Sequence, residues 1–298
     1  MQSAITMEHV YKEYKGVRAV SDLSLDIGQG SVTALLGPNG AGKTTAISLM
    51  LGLAQPTQGR IRVLGASPLD RGVHQHLGAM LQDISVVDRL KVGETIDLFR
   101  SYYAQPLPLE QLLVLSGLQD VKAKYASSLS GGQKRRLDFA LALAGDPKLL
   151  FLDEPTVGMD ITSRELFWDT IRQLKKEGRT IVLTTHYLEE ADQLADRILV
   201  INQGRLIADG SPAEIKASQG SRAVSFTAGP DVDAESLEEL PGVLHAEWDG
   251  RRVSLFSQDT DRLIYALVRS ELDIRDIDIQ SGGLAGAFRS LIQGDDRP

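Results

Sequence analysis

The sequence predicts an α/β fold built on a parallel sheet, followed by a smaller α+β domain, and three observations carry that reading. Residues 32–36 form a nearly continuous apolar run, as a strand buried on both faces requires, and a glycine-rich turn follows at once. Residues 149–152 repeat the apolar run and end in Asp153-Glu154. From Arg222 onward the pattern changes to strand-like and helix-like segments in the order βαββαβ, the ferredoxin-like unit, closed by a helix over 284–292.

The turn after the first run reads Gly37-Pro38-Asn39-Gly40-Ala41-Gly42-Lys43-Thr44, with Thr45 next. Beyond it Ala46, Leu49, Met50 and Leu53 recur at i, i+3, i+4 and i+7, which predicts a helix packing back on the sheet. A strand, a glycine-rich loop and a helix in that order make a phosphate-binding loop. The glycines let the backbone curl so that successive amides face the α- and β-phosphates, and the helix start adds its positive dipole end. Lys43 is expected to reach the β- and γ-oxygens, and Thr44 to place its hydroxyl on Mg²⁺.

The acid pair stands at the C-terminal edge of a strand, where ligands of open α/β sheets collect. Adjacent strand residues point to opposite sides, so the two carboxylates divide the labour. Asp153 is assigned to Mg²⁺ and Glu154 to polarising an attacking water as general base. A third motif, Leu129-Ser130-Gly131-Gly132-Gln133, opens a helix, so its amides and hydroxyl are free to take an anion. Leu137, Ala140, Leu141 and Ala144 form that helix's buried stripe and leave its amino end exposed.

With these three motifs in this order, the chain resembles the ATP-binding subunit of an ABC transporter from about residue 3 to about residue 217. The resemblance implies a P-loop NTPase with a RecA-like core sheet, an antiparallel β subdomain and a helical lobe. Tyr14 matches the aromatic residue that stacks on adenine, and Gln82 the glutamine that contacts Mg²⁺ and the γ-phosphate. Ser130, Gly131, Gly132 and Gln133 match the family signature, Asp160 the acidic residue that crosses the dimer interface, and His186 the histidine at the γ-phosphate. His186 follows a strand and precedes a helix at the same sheet edge as Glu154. Met159 stands where the family more often has leucine.

The resemblance also implies partners. The signature begins a helix in a separate lobe and cannot reach its own phosphate loop, so a homodimer is expected to form around two ATP, with Mg²⁺. Each ATP would sit between one chain's loop and the other's signature. The power stroke is expected to act on an integral membrane permease encoded separately, which places the chain in the cytoplasm, peripheral on the cytoplasmic face of the cell membrane.

Composition agrees with that picture. Among 298 residues there are 40 acidic and 32 basic side chains, a net charge of −8, the opposite of the basic footprint of a nucleic-acid binder. Cysteine is absent, which excludes disulfides and thiolate metal sites. No apolar run approaches the roughly 20 residues that cross a bilayer, and the amino end lacks a signal-peptide pattern. A soluble subunit is expected, with the pore in another polypeptide.

The expected organisation is an ABC ATPase domain over 1–217, with its helical lobe at about 83–146. Residues 218–221 form a linker, and 222–298 an accessory α+β domain. Arg197 to Ile201 and Arg205 to Ala208, around Asn202-Gln203-Gly204, predict a β-hairpin. The length of the tail, with Tyr102-Tyr103 and Pro106-Leu107-Pro108 in the lobe, resembles ATPases of drug, antibiotic and lipid exporters. The alternative is an ABC ATPase working without a membrane partner in DNA repair, translation or cluster assembly. Such proteins often carry paired ATPase units, coiled coils or basic surfaces, and none is evident in this sequence.

Overall fold

The computed structural model describes residues 2–81, 89–218, 222–230, 232–257, 259–270, 272–281 and 283–295. The chain divides into two compact units, Met1–Asp209 and Gly210–Pro298. The strands in chain order are β1 (Ser3–Tyr14), β2 (Val17–Gly28), β3 (Val32–Leu36), β4 (Gln58–Val63), β5 (Leu77–Met80), β6 (Leu149–Asp153), β7 (Thr180–Thr184), β8 (Arg197–Asn202), β9 (Arg205–Gly210), β10 (Arg222–Ala228), β11 (Val243–Asp249), β12 (Arg252–Ser257) and β13 (Ile274–Ser281).

In the first unit six strands form a sheet in the order β5-β6-β7-β3-β8-β9. The neighbours from β5 through β8 run parallel. Every residue of β3, β6 and β7 is buried, as strands covered on both faces must be. Parallel pairing brings the C-terminal ends of β3, β6 and β7 to one edge, where the glycine loop, the acid pair and the segment after Thr184 emerge side by side. A second, antiparallel sheet has the order β2-β1-β4. Its buried side chains, Ile5, Met7, Val10, Leu23 and Ile27 among them, share one core with Ile47, Leu49 and Met50 of the helix Lys43–Met50.

That helix is shorter than its apolar spacing predicts. Gly52, in the left-handed region at φ 73°, follows directly on its last turn, and a Cβ there would lie 2.3 Å from the Pro68 carbonyl oxygen. Leu53 therefore falls outside the helix and is 66% exposed, whereas Ala46, Leu49 and Met50 are buried as expected.

The segment between β5 and β6 carries the helices Val92–Arg100, Leu109–Ser116 and Gly131–Leu143. The last is buried over 137–143, Asp138 included, which is wider than the single apolar stripe read from the sequence, while Ser130, Gly131 and Lys134 at its start are exposed. The hairpin of β8 and β9 turns through Gln203 (φ 47°) and Gly204 (φ 77°), the two positive-φ positions of a type I′ turn.

The second unit begins at Gly210, so the helix Pro212–Ser218, expected at the end of the ATPase domain, belongs with it and packs on the helix Leu284–Asp295. Its sheet has the order β11-β12-β10-β13 with every neighbouring pair antiparallel. Each βαβ pair is thus split by a strand of the other pair. Val224, Phe226, Val253 and Leu255 meet Leu237, Leu263 and Leu267 in a separate core.

Candidate active site

A cleft of about 600 Å³ opens at the sheet edge where β3 and β6 end on either side of β7, lined by Ala19, Asn39, Gly40, Gly42, Lys43, Thr44, Thr45, Asp153 and Glu154. The glycine loop and the acid pair, 110 residues apart in sequence, thus face one space. Gly42 precedes the first helical residue at φ 103°, and a Cβ there would sit 2.5 Å from the Ala19 carbonyl oxygen. The hairpin turn buttresses the loop from behind: the Gly204 amide donates to the Ala41 carbonyl at 2.9 Å, and the Ser21 amide to the Gly204 carbonyl at 2.9 Å.

Lys43 folds back on the loop, donating to the carbonyls of Gly37 at 2.7 Å and Pro38 at 3.0 Å. Burial lowers its pKa from the usual lysine value, and the nearby carboxylates of Glu154 and Asp153 oppose that shift. A partly desolvated ammonium beside a glycine loop that runs into a helix start suits an anionic group such as a phosphate.

Asp153 is 2% exposed and its carboxylate accepts from the Thr184 hydroxyl. The Glu154 amide donates to the Thr184 carbonyl at 3.1 Å and to its hydroxyl oxygen at 3.1 Å. Glu154 itself has φ 50°, a conformation that non-glycine residues seldom take and that concentrates at functional sites. Its carboxylate turns towards His186, with Nδ1 3.5 Å from Oε2. The residues following β6 and β7 are thereby joined through both backbone and side chain. Thr184 carried no motif of its own in the sequence, and only its place at the end of β7, two residues before His186, marks it.

The oxygen donors suit Mg²⁺. The cleft offers a threonine hydroxyl and a buried carboxylate, and Mg²⁺ commonly takes one or two protein ligands with phosphate and water completing its shell. Among the described residues no group of three or more His, Cys, Asp or Glu could cage a metal by itself. Gln82, the remaining expected contact, lies outside the described residues.

Ser130, Gly131, Gly132 and Gln133 do not line this cleft. Ser130 caps its helix: its hydroxyl oxygen accepts from the Gln133 amide at 3.3 Å, and the Gln133 side chain accepts from the Ser130 amide at 3.1 Å. The Ser130 amide is therefore not free to take an anion, contrary to the sequence expectation, and one lone pair of the hydroxyl is engaged while its proton remains available to donate. Asp160 caps the helix Ile161–Lys176, accepting from the Ser163 amide at 2.8 Å and hydroxyl at 2.9 Å, and these bonds lower its pKa. Tyr14 ends β1 and is 46% exposed with the Lys12 ammonium 4.7 Å from its ring centre. It too stands outside the cleft lining.

A buried glutamate supports the far side of the site. Glu190, fully buried, accepts from Thr156 at 3.3 Å and from the Trp168 indole at 3.2 Å. Burial raises its pKa, and hydrogen bonds from Thr185, Trp168 and Thr156 oppose the rise. It links the segment after the acid pair to the helix that follows His186, and nothing in its sequence surroundings signals this.

Residues 20–157 match the family model described as ABC transporter. The chain is 36% identical to the daunorubicin resistance ATP-binding protein DrrA3 of Streptomyces coeruleorubidus, over 99% of this chain and 97% of that protein. It is likewise 36% identical to the Nod factor export ATP-binding protein I of Paraburkholderia xenovorans, over 92% of each. Among solved structures, cbiO1 of Clostridium perfringens, part of the ABC transporter complex cbiONQ, aligns with TM-score 0.64 and 29% identity over 74% of this chain and 92% of that one. A dimeric post-hydrolysis state of the cassette MJ0796 with ADP and Pi aligns with TM-score 0.64 and 24% identity over 70% and 98%, a likeness of fold.

Proposed function

Because the chain belongs to the ATP-binding family of ABC transporters and is an ATP-hydrolysing cassette of exporter type, we propose that it energises the export of drug-like, antibiotic or lipid-linked compounds by closing as a homodimer around two ATP. The observation that carries this reading is the convergence of Lys43, Thr44, Asp153 and Glu154 on one cleft that the signature residues of the same chain do not line. The site is complete only when a second copy supplies Ser130 to Gln133.

In that arrangement the loop amides and Lys43 would hold the β- and γ-phosphates, and Thr44, Asp153 and Gln82 would hold Mg²⁺. The bound cation would supply neutralisation of the charge on the phosphate oxygens. Glu154 orients a water and takes up its proton, and His186, within reach of the Glu154 carboxylate, keeps it aimed and senses the γ-phosphate. Tyr14 packs on adenine, and Asp160 meets the partner chain. Exposed Val157 and Ile161 beside Asp160 supply apolar area for that contact. Loss of the γ-phosphate removes the bridge between the two chains and the closed state opens.

The described residues include no helix long and apolar enough to cross a membrane. The permease is then a separate polypeptide and the ATPase docks on its cytoplasmic side. A largely apolar hollow of about 300 Å³ between the core and the helical lobe, lined in part by Leu53, Ala79, Leu81, Phe99 and Tyr103, supports a docking place there. The unit beyond Gly210 is an accessory module. The test is co-expression with a multi-pass membrane protein encoded by an adjacent reading frame and reconstitution in vesicles: ATP-driven transport that Glu154→Gln abolishes supports the reading. An ATPase that never associates with a membrane protein and copurifies with nucleic acid or ribosomes favours the membrane-free alternative.

A further inference from the structure

Arg135 lies in the second turn of the helix Gly131–Leu143, and its guanidinium reaches the ends of two neighbouring strands. One terminal nitrogen donates to the Leu81 carbonyl at 3.0 Å; the other donates to the carbonyls of Asp153 at 2.7 Å and Glu154 at 2.8 Å. Leu81 directly follows β5, and the two acids end β6. A planar fork of fixed geometry can serve several carbonyls at once, which a lysine ammonium on its flexible stem does poorly. The adjacent Arg136 turns elsewhere and donates to the Gly117 carbonyl at 2.8 Å.

The bonds matter because of what they hold. Glu154 sits at φ 50°, a left-handed conformation unfavourable for a non-glycine residue, so its surroundings must fix it there. Thr184 holds the amide of Glu154, and Arg135 holds its carbonyl. With both ends of the residue fastened, the direction of its Cα–Cβ bond is set, and its carboxylate lies with Oε2 3.5 Å from His186 Nδ1.

We propose that Arg135 is a positioning residue that docks the signature helix on the Asp153–Glu154 corner of its own chain and thereby aims the Glu154 carboxylate. The inference rests on the reading of Glu154 as general base given above. It adds a coupling between the two halves of the machinery. The first turn of this helix faces the partner's nucleotide, and one turn later the same helix grips the hydrolytic corner of its own. A helix displaced from its seat takes the aim of Glu154 with it.

The test compares full-length wild type with Arg135→Met, which keeps the apolar stem and removes every donor, and with Arg135→Lys. We expect kcat for ATP hydrolysis to fall at least tenfold in Arg135→Met, with affinity for a fluorescent ATP analogue within twofold of wild type, because the loop that binds phosphate is untouched. Arg135→Lys should recover less than half of the lost rate. In single-turnover assays Arg135→Met should add less than a further twofold loss to Glu154→Gln, since both changes act on one step. Wild-type kcat in Arg135→Met beside an inactive Glu154→Gln overturns the inference and leaves the general base standing; so does a full multiplicative loss in the double variant. Normal turnover by Glu154→Gln overturns both. If Arg135→Met lacks a cooperative thermal transition, Arg135→Gln carries the same readings.

Discussion

The Thr184 hydroxyl oxygen lies 3.1 Å from the Glu154 amide nitrogen and accepts its proton, while the same hydroxyl donates to the Asp153 carboxylate. One small side chain on β7 thus fixes both acids that end β6, although 30 residues separate it from Glu154. Thr184→Val keeps the shape and removes both bonds. Leaving the buried Asp153 carboxylate short of a donor should cost about 1–3 kcal/mol, read as a lower urea midpoint with unchanged slope. An unaltered midpoint would show that the two bonds contribute nothing.

Glu154→Gln should bind ATP with near-normal affinity and lose about 10²-fold or more in kcat, the usual contribution of a positioned general base. Steady-state hydrolysis alongside nucleotide titration separates the two quantities. Turnover within a few-fold of wild type would remove Glu154 from the mechanism.

Gly42→Ala should abolish tight nucleotide binding rather than catalysis alone. The added methyl would meet the Ala19 carbonyl oxygen at 2.5 Å in a backbone conformation, φ 103°, that L-residues avoid. The loop must shift, and its amides then no longer converge. An affinity loss above tenfold by titration calorimetry is expected, with the melting temperature as control for folding.

Asp138 gives a pH signature. Burial pushes its pKa from 3.8 up to about 6, against the opposing charge of Arg135. Between about pH 4 and pH 6 the folded chain holds a proton that the unfolded chain has released, so this residue's contribution falls as pH rises and levels off above the folded pKa. Asp138→Asn should flatten that part of the profile and raise stability at pH 7.5, by about 1 kcal/mol once solvent screening is allowed for. Urea midpoints of both proteins at pH 4, 5, 6 and 7.5 measure the difference, and parallel profiles would contradict it.

What the sequence made legible was local. The strand, glycine loop and helix at 32–50 are adjacent in the chain, and each element shows its own period or composition. The acid pair could be placed at a strand end because a five-residue buried strand has a compositional signature. The tail's strand order followed from the same alternation, and its sheet order agrees with the split arrangement which that sequence of elements demands.

Contacts across the chain were not legible in the same way. Thr184 gripping Glu154, Arg135 reaching out from the signature helix, and Glu190 under Thr156 and Trp168 join residues 18 to 54 positions apart. No spacing rule marks such pairs, because the sheet brings them together only after it forms. Leu53 was misread for a nearer reason: its spacing fits the helix, but the left-handed Gly52 ends the helix first. Ser130 offers its amide and hydroxyl as open donors in the sequence, but the Gln133 side chain three residues on takes the amide and leaves only the hydroxyl proton.

ATP is expected to join two copies of this chain through the Ser130 end of one and the phosphate loop of the other. Light scattering on Glu154→Gln with saturating ATP and Mg²⁺ tests it most directly. One chain has a mass of 32.4 kDa. The account predicts a doubled mass that reverts to the single-chain value when Ser130→Arg is added, with ATP still bound by the intact loop. A single-chain mass at saturating ATP, or a dimer indifferent to Ser130→Arg, would contradict it.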